Sequence, residues 1–215
     1  MDNPWWRLVR FGFRLLYNEM AFTYDLVSNV VSLGAWRCWQ RAALKHLTAQ
    51  TGTLVLEIAH GTGNLQLDLL GAGYRTIGYD LSPYMGRIAK AKLTQHGYLA
   101  KLARGKAQQL PFQDGAFAAV VSTFPTDFIV QTETLREVYR ILQPHGQFII
   151  VPNGVLTGGG VSGAGIEWLY RVTGQRDEST SSFKDFFTPY GFEAEMFAEP
   201  CPRSIAHVIV AQKRD

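Results

Sequence analysis

The feature that most constrains the fold is the run from Val55 to Asn64, Val-Leu-Glu-Ile-Ala-His-Gly-Thr-Gly-Asn. It passes from an apolar segment through an acid to a turn with two glycines, and leucines at 65, 67, 69 and 70 then start a helical pattern. A strand, a glycine turn and a helix in this order open the nucleotide-binding α/β folds. Glycine lets the backbone pass close to a ligand where a Cβ atom would clash. The acid, Glu57, favours a ligand that carries an amine and a positive charge.

The remaining chain alternates strand and helix patterns. Strands are predicted at 53–58, 75–79, 98–103, 116–122 and 147–151, with helices between them, and 192–199 with 206–212 form a predicted closing strand pair. Helical patterns at 4–22 and 35–48 precede the first strand. Alternation of this kind predicts a parallel sheet with helices on both faces. The predicted fold is α/β, a Rossmann-like, doubly wound, mostly parallel seven-stranded sheet with an N-terminal helical cap.

Length and composition favour one soluble globular domain over residues 1–215. Within it we expect a helical cap at 1–50, a cofactor-binding core at 51–151, and a lid loop, helix and closing strands at 152–215. A net charge of +3 gives no case for nucleic acid binding. Cys38 and Cys201 are too few for a disulfide framework or a Cys-rich metal site, so each is expected to be a small buried or half-buried apolar side chain. A reducing cytoplasm is the expected location.

The N-terminal helix allows two interpretations. Arg7, Arg10 and Arg14 share one face of it. The first interpretation is a helix that packs over the core and closes a ligand site. The second is peripheral membrane contact through residues 4–20, because Trp, Phe and Arg together suit the headgroup region. A different face is apolar: Trp5, Leu8, Val9, Phe13, Leu16 and Met20.

The segment from Thr157 to Gly165 is too rich in glycine for a strand or a helix. It is predicted to be a flexible surface loop or, in a functional interpretation, a mobile lid that closes over substrate. A phosphate cradle is a weaker alternative, because the Lys-Ser/Thr pair that would make it specific is missing. Helices are predicted after it, near 167–172 and at 183–190.

Polar or glycine-containing segments follow four of the predicted strands, at the edge where open α/β sheets bind ligands. The first holds Glu57 and the glycine turn, and the second holds Asp80, 17 residues beyond Gly63. A carboxylate at that position can accept both hydroxyls of an adenosine ribose, although it could also be a charge at a helix N-terminus. The other two segments are 105–112 and 122–125.

Residues 53–151 resemble the class I S-adenosylmethionine-dependent methyltransferases, in particular the ubiquinone/menaquinone-biosynthesis-like (methyltransferase type 11) branch. The matching segments are Leu-Glu-Ile-Ala-His-Gly-Thr-Gly-Asn (56–64), Gly-Tyr-Asp-Leu-Ser (78–82), Ala-Gln-Gln-Leu-Pro-Phe (107–112) and Arg-Ile-Leu-Gln-Pro-His-Gly (140–146). Tyr24-Asp25 also looks like that branch. The resemblance implies S-adenosyl-L-methionine as cofactor, S-adenosyl-L-homocysteine as product, and a small-molecule acceptor, with in-line methyl transfer.

The resemblance also implies roles for individual residues. Glu57 and the backbone from Ala59 through His60 and Gly61 to Gly63 would hold the methionine part of the cofactor. Asp80 would hold the ribose hydroxyls. Tyr17 or Tyr24 would close over the cofactor. The other implied contacts are Leu81, Ala107 and Gln108 with the adenine, and Thr123 and Phe124 with the sulfonium and the start of the substrate pocket.

Three positions depart from this pattern or stay open. Lys106 stands where the family often has an acid that accepts from the adenine amino group, and a lysine only donates. His60 and His145 are expected to be solvent-facing turn residues rather than catalytic ones. Asp127 is the best-placed candidate for a general base, and a helix N-cap before Phe128 is an equal alternative. No base is assigned, and the five histidines show no metal-ligand spacing.

Two other functions stay open on the sequence. The first is a non-catalytic S-adenosylmethionine-binding protein that keeps the fold. The departure from the family pattern at Lys106 is the reason for considering it. A nicotinamide-dependent oxidoreductase is less consistent, because the full fingerprint needs a third glycine where Gln66 stands. The leading prediction is a methyltransferase for an apolar, quinone-like or lipid-like acceptor.

Overall fold

The computed structural model describes residues 23–157 and 185–214. The predicted helix at 4–22 with Tyr17, the glycine-rich segment beyond Thr157 and the helix near 167–172 lie outside these residues. Two helices precede the sheet, α1 (Tyr24–Val31) and α2 (Trp36–Lys45). Later helices are α3 (Asn64–Gly71), α4 (Pro83–Gln95) and α5 (Thr132–Ile141). No helix in the described part of the chain is long and apolar enough to span a membrane.

The seven strands form one sheet in the order β3-β2-β1-β4-β5-β7-β6. They are β1 (Leu54–Ile58), β2 (Arg75–Asp80), β3 (Leu102–Arg104), β4 (Phe117–Thr123), β5 (Leu142–Leu156), β6 (Phe192–Cys201) and β7 (Ser204–Lys213). The pairs among β1–β5 are parallel, while β7 is antiparallel to both β5 and β6. This order confirms the predicted Rossmann-like, mostly parallel sheet of seven strands.

The sheet carries one apolar cluster on each face. Successive residues of β5 enter different clusters, as the alternation of a strand requires: Phe148 and Ile150 join one, Ile149 and Val151 the other. The first cluster includes Leu135 and Val138 of α5, and the second includes Trp39 of α2. Helices therefore cover both faces, and the carboxyl ends of the parallel strands remain as the edge where ligands bind.

Several boundaries differ from the sequence prediction. β3 spans Leu102–Arg104 rather than 98–103, and β5 begins at Leu142 rather than at 147. β5 was expected to end at Val151, but it continues to Leu156 because residues 153–156 pair with the start of β7. Antiparallel pairing across a distant strand is a tertiary effect that local composition does not reveal. Of the helix expected at 183–190, the described part is a short helical turn followed by a 3-10 turn at Thr188–Tyr190.

The expectation for the two cysteines is wrong. Cys38 of α2 and Cys201 at the end of β6 form a disulfide, with their Cα atoms 5.9 Å apart. The bond joins residues 163 positions apart, so their spacing in the sequence gave no sign of it. It removes the reason for which a reducing compartment was predicted, because disulfides persist mainly in oxidising environments.

Candidate functional site

The glycine turn after β1 contains the backbone geometry that its sequence predicted. Ala59, Gly61 and Gly63 all have positive φ, at 58°, 52° and 80°. The Ala59 amide donates to the Tyr79 carbonyl at 2.7 Å, which ties the turn to β2. A Cβ atom at Gly61 would meet nothing within 4 Å, so that side of the turn is open to a ligand. At Gly63 it would lie 2.9 Å from the Cβ of Ala89, so this glycine serves the close packing of α4 on the turn.

Asp80 links the turn to the end of β2. One carboxylate oxygen accepts from the Gly61 amide at 2.9 Å, and the other accepts from the Ser82 amide at 2.8 Å. Each oxygen retains a second lone pair, which is what two ribose hydroxyls would need. Ser82, rather than Asp80, caps α4, because its Oγ accepts from the Met85 amide. Leu81 beside it is 58% exposed, an apolar surface that an adenine ring would cover.

Glu57 lies inside the protein rather than at an open strand tip. Only 1% of it is exposed, and its carboxyl accepts from Gln66 Nε2 at 2.8 Å. Gln66 Oε1 in turn accepts from the Thr76 hydroxyl at 2.6 Å. Burial raises the pKa of Glu57 to about 8, and the negative charge of Asp80 adds to the rise while the Gln66 hydrogen bond opposes it. Gln66, noted in the sequence only as a missing glycine, is the partner of this acid.

His60 is buried, which contradicts the expected solvent-facing turn residue. It is 4% exposed, and its Nδ1 lies 2.8 Å from the Gly61 carbonyl. A carbonyl only accepts, so Nδ1 carries the proton of that bond. The ring packs against Gly78, where a Cβ would lie 2.9 Å from His60 Cδ2. Burial lowers the pKa of His60, which keeps the ring neutral. His145 is exposed, as expected, but it lies in β5 rather than in a turn.

α1 is anchored to the turn by Asp25, a contact that the sequence did not reveal. Its carboxylate accepts from the Thr62 hydroxyl at 2.7 Å, from Asn64 Nδ2 at 2.9 Å and from Lys92 Nζ at 2.7 Å. Burial alone would raise the pKa of Asp25. The hydrogen bonds and the charge of Lys92 outweigh burial and lower it. The cap, the turn and α4 therefore meet at one carboxylate.

Aromatic rings of the cap cover the end of β4. Phe124 has a φ of 51°, and its ring stacks on Trp36 with centroids 3.9 Å apart. Tyr24 meets the edge of Trp36 at 6.1 Å. Thr123, the last residue of β4, is 7% exposed. Thr123 and Phe124 thus lie beneath the cap, and the sequence signal that was missed is Trp36 of α2.

In the segment after β3 and in the turn after β4, the observed contacts differ from those that the sequence led us to expect. Ala107 is buried in the core, and Gln108 donates from Nε2 to the Gln131 side chain at 2.7 Å rather than into an open pocket. Lys106 is exposed. Asp127 is the exposed first residue of a 3-10 turn whose N-cap position is Thr126, so the N-cap prediction for Asp127 is wrong by one residue. Among the residues that the structure describes, no three metal-binding side chains converge.

The model of the ubiE/COQ5 methyltransferase family matches residues 13–174. The match confirms the predicted resemblance to class I S-adenosylmethionine-dependent methyltransferases of the ubiquinone/menaquinone branch, and with it the cofactor. The open side of Gly61, the second lone pairs of Asp80 and the exposed Leu81 fit an adenosine-bearing ligand.

Two relatives show how far the similarity extends. A demethylmenaquinone methyltransferase of Thermus thermophilus is 34% identical over 139 residues, which is 63% of each chain. A second, of Beutenbergia cavernae, is 28% identical over 192 residues, 89% of this chain and 68% of that one. The chain therefore spans less than two thirds of the first relative's length.

A solved structure shows the same fold. The YcgJ protein of Bacillus subtilis superposes with a TM-score of 0.62 at 17% identity, over 82% of this chain and 98% of that one. At this identity the likeness concerns the fold alone.

Proposed function

Because the chain belongs to the ubiE/COQ5 methyltransferase family, we propose that it transfers a methyl group from S-adenosylmethionine to a small, apolar, quinone-like acceptor. The names of the demethylmenaquinone methyltransferases that it resembles support this class of acceptor. The observation that carries the proposal is the hydrogen bond from the Gly61 amide to Asp80, because it joins the glycine turn after β1 to the acid at the end of β2. A ribose held by Asp80 would then lie next to the methionine part held by the turn.

All but one of the proposed cofactor contacts keep the roles implied by the sequence. The carboxylate of Asp80 holds the ribose and Leu81 covers the adenine. The backbone of Ala59–Gly63 holds the methionine part, whereas Glu57, which the sequence also assigned to that part, is buried and bonded to Gln66. Backbone at Ala107 meets the adenine edge. Gln108 reaches the adenine only after leaving Gln131, so its proposed contribution is the smaller one.

The protein's part in the transfer is orientation and exclusion of water. The bound cofactor supplies an electrophilic methyl group on a positive sulfur. The stacked rings of Trp36 and Phe124, with Tyr24 at their edge, form an apolar wall over Thr123. Such a wall suits a flat apolar acceptor. Alignment of the acceptor with the methyl group can by itself lower the activation free energy by several kcal/mol, up to about 10. Membrane contact through residues 4–20 and a cytoplasmic location stay predictions.

The proposal is tested by incubating the full chain with labelled S-adenosylmethionine and a reduced quinone extract, followed by identification of the labelled product. We expect Asp80→Asn to weaken binding of S-adenosylhomocysteine by about 10- to 100-fold, because a charge-assisted acceptor of the ribose is lost. Asp114→Asn is the control, since Asp114 is 80% exposed and paired with Arg140 away from the turn.

Two results would decide against the proposal. Binding of the cofactor without label in any product would favour a non-catalytic binding protein. Preference for NAD over S-adenosylmethionine would favour the oxidoreductase.

A further inference from the structure

Two polar side chains face each other just beyond the parallel part of the sheet. Asn153 of β5 and His207 of β7 are register partners, and His207 Nδ1 lies 2.8 Å from Asn153 Oδ1. An amide oxygen only accepts, so Nδ1 carries the proton. In the neutral ring Nε2 is then the nitrogen with an available lone pair.

The amide nitrogen of Asn153 is the other half of this pair. It is buried, and within the described ranges it has no hydrogen-bond partner. A buried donor without an acceptor costs free energy, and native proteins keep such groups mainly where a ligand or water completes them. The pair thus leaves one donor, Asn153 Nδ2, and one acceptor, His207 Nε2, for a further group.

The register places the pair just past the end of the parallel β4–β5 pairing. The last parallel partners of β4 and β5 are Thr123 and Val151, and Asn153 follows two residues later, past a shift in register. His207 is the neighbour of Asn153 on the next strand. The pair therefore lies just past the parallel part of β5, near the strand end that carries Thr123.

The pair is on the sheet face opposite the Trp36–Phe124 stack, because Ala206 and Val208 on either side of His207 belong to the Trp39 cluster. His207 is half-buried, and burial lowers its pKa, with no charged group contributing to the shift.

We propose that Asn153 and His207 form the subsite for the oxygen atoms of the acceptor ring, with His207 as the general base. This inference rests on the proposed function. His207 Nε2 takes the proton of a phenolic hydroxyl of the reduced acceptor, and Asn153 Nδ2 donates to an oxygen of the same ring.

The electrons balance without a further reactant. The O–H bond breaks and its proton goes to Nε2, which makes the ring carbon next to the oxygen a stronger nucleophile. A carbon–carbon bond then forms to the methyl group while the bond from methyl to sulfur breaks, and its electron pair stays on sulfur. The ring carbon releases its hydrogen as a proton to solvent, and the imidazolium returns the first proton to the oxygen. Asp127, exposed on its 3-10 turn, is not needed.

Kinetics of the full chain with reduced demethylmenaquinone test the base. We expect His207→Gln to lower kcat by about 100- to 10,000-fold, with KM and the affinity for S-adenosylhomocysteine within about twofold of wild type. The acidic limb of the wild-type kcat profile should disappear. Asn153→Asp should move that limb to higher pH, because a carboxylate on Nδ1–H stabilises the imidazolium. His145→Gln, at an exposed position near the start of β5, is the control and should behave as wild type.

A His207→Gln enzyme with activity within threefold of wild type and an unchanged pH profile would overturn the proposal. If the wild-type chain methylates no quinol, the proposed function fails, and binding decides the subsite separately. Nitrogen NMR of the S-adenosylhomocysteine-loaded protein should show His207 protonated at Nδ1, with its Nε2 resonance shifted by 1,4-naphthohydroquinone. The opposite tautomer, or no shift at saturating naphthohydroquinone, would also overturn it.

Discussion

The two ends of the sheet are held by contacts between residues that differ greatly in their separation along the sequence. At the cofactor end, which we define as β1, β2 and the Ala59–Gly63 turn, Asp80 reaches Gly61 over 19 positions and Gln66 reaches Glu57 over 9. At the closing end, defined as α2, the extension of β5 and the β6–β7 hairpin, Trp39 Nε1 donates to Ser204 Oγ over 165 positions. The cofactor end is therefore encoded locally, while the closing end exists only once the whole chain has folded.

The chemistry of the two ends differs in the same way. The cofactor end relies on carboxylates that accept backbone and side-chain donors. The closing end relies on a disulfide, on aromatic packing, and on the Lys45 and His46 contacts with Glu199 at 2.8 Å each. We therefore expect pH to act mainly on the first and reductants or packing changes mainly on the second.

The largest expected effect comes from removing the disulfide with Cys38→Ser and Cys201→Ser together. Closure of a loop this long constrains the unfolded chain, and we expect the free energy of unfolding to fall by about 3–5 kcal/mol. Urea unfolding with and without reductant measures it. Reductant should shift the wild type and leave the double variant unchanged. If the urea midpoint of the wild type is the same with and without reductant, the stability of the closing end does not depend on this bond.

The next effect comes from Gly154→Ala in the extension of β5. A Cβ atom there would overlap the Trp39 ring, so the ring must move and its hydrogen bond to Ser204 must shift with it. Overpacking of this kind should cost about 3 kcal/mol. Thermal unfolding monitored by Trp fluorescence measures the loss.

Gly86→Ala in α4 is the matched control for Gly154→Ala. Its Cβ would meet nothing within 4 Å, so the change should stabilise by about 0.5–1 kcal/mol through helix propensity. Equal effects of the two substitutions would show that the packing of α2 on β5 is looser than the distances indicate.

The same contrast explains which parts of the molecule the sequence predicted. The glycine turn after β1, the position of Asp80 at the end of β2 and the alternation of strands and helices follow from patterns within short windows, and the structure agrees with them. The burial of His60 was missed although Gly78, against which it packs, lies on the neighbouring strand β2. The pairing of Cys38 with Cys201 depends on neighbours from distant segments. The end of β5 was misplaced for the same reason, because β7 supplies its pairing.

Within the candidate site, residue types were predictable and partners were not. Glu57 was identified as an acid of the turn, yet its enclosure with Gln66 requires the packing of α3 on β1 and β2. In the sequence, Asp25 was noted only because Tyr24-Asp25 matches the family. Its role as an anchor depends on Lys92, 67 positions away. The aromatic wall depends on Trp36 reaching Phe124 across the cap.

Glu57→Gln tests the cofactor end through pH. The folded-state pKa of Glu57 is raised from 4.5 to about 8, so the folded protein holds a proton that the unfolded chain has released. Wild-type stability should therefore fall as pH rises from about 4.5 to about 8 and then level off. The variant has no such proton, so the ligand-free variant should be more stable than wild type by roughly 1–3 kcal/mol above pH 8 and similar to it near pH 5.

Urea unfolding of both proteins at the two pH values measures the difference. A variant whose stability follows the wild-type pH dependence would show that Glu57 is ionised in the fold. An ionised Glu57 would again be a candidate charged partner for the amino group of the cofactor.

The smallest expected effect comes from Asp25→Asn, which weakens the anchor of α1. The pKa of Asp25 is lowered in the fold, so its contribution is complete above the unfolded value of 3.8 and is lost as pH falls through the folded value. The carboxylate is 40% exposed, so solvent screens the Lys92 pair, and we expect a loss of about 1 kcal/mol at pH 7 that vanishes in acid below the folded-state pKa. Asp114→Asn, whose carboxylate is also 2.7 Å from a cation but is 80% exposed, should cost less than about 0.5 kcal/mol. Asp25 also accepts hydrogen bonds from Thr62 and Asn64 of the cofactor end. We therefore expect Asp25→Asn to weaken the binding of S-adenosylhomocysteine measured by calorimetry. A change in stability without a change in binding would show that the anchor of α1 does not affect the cofactor end.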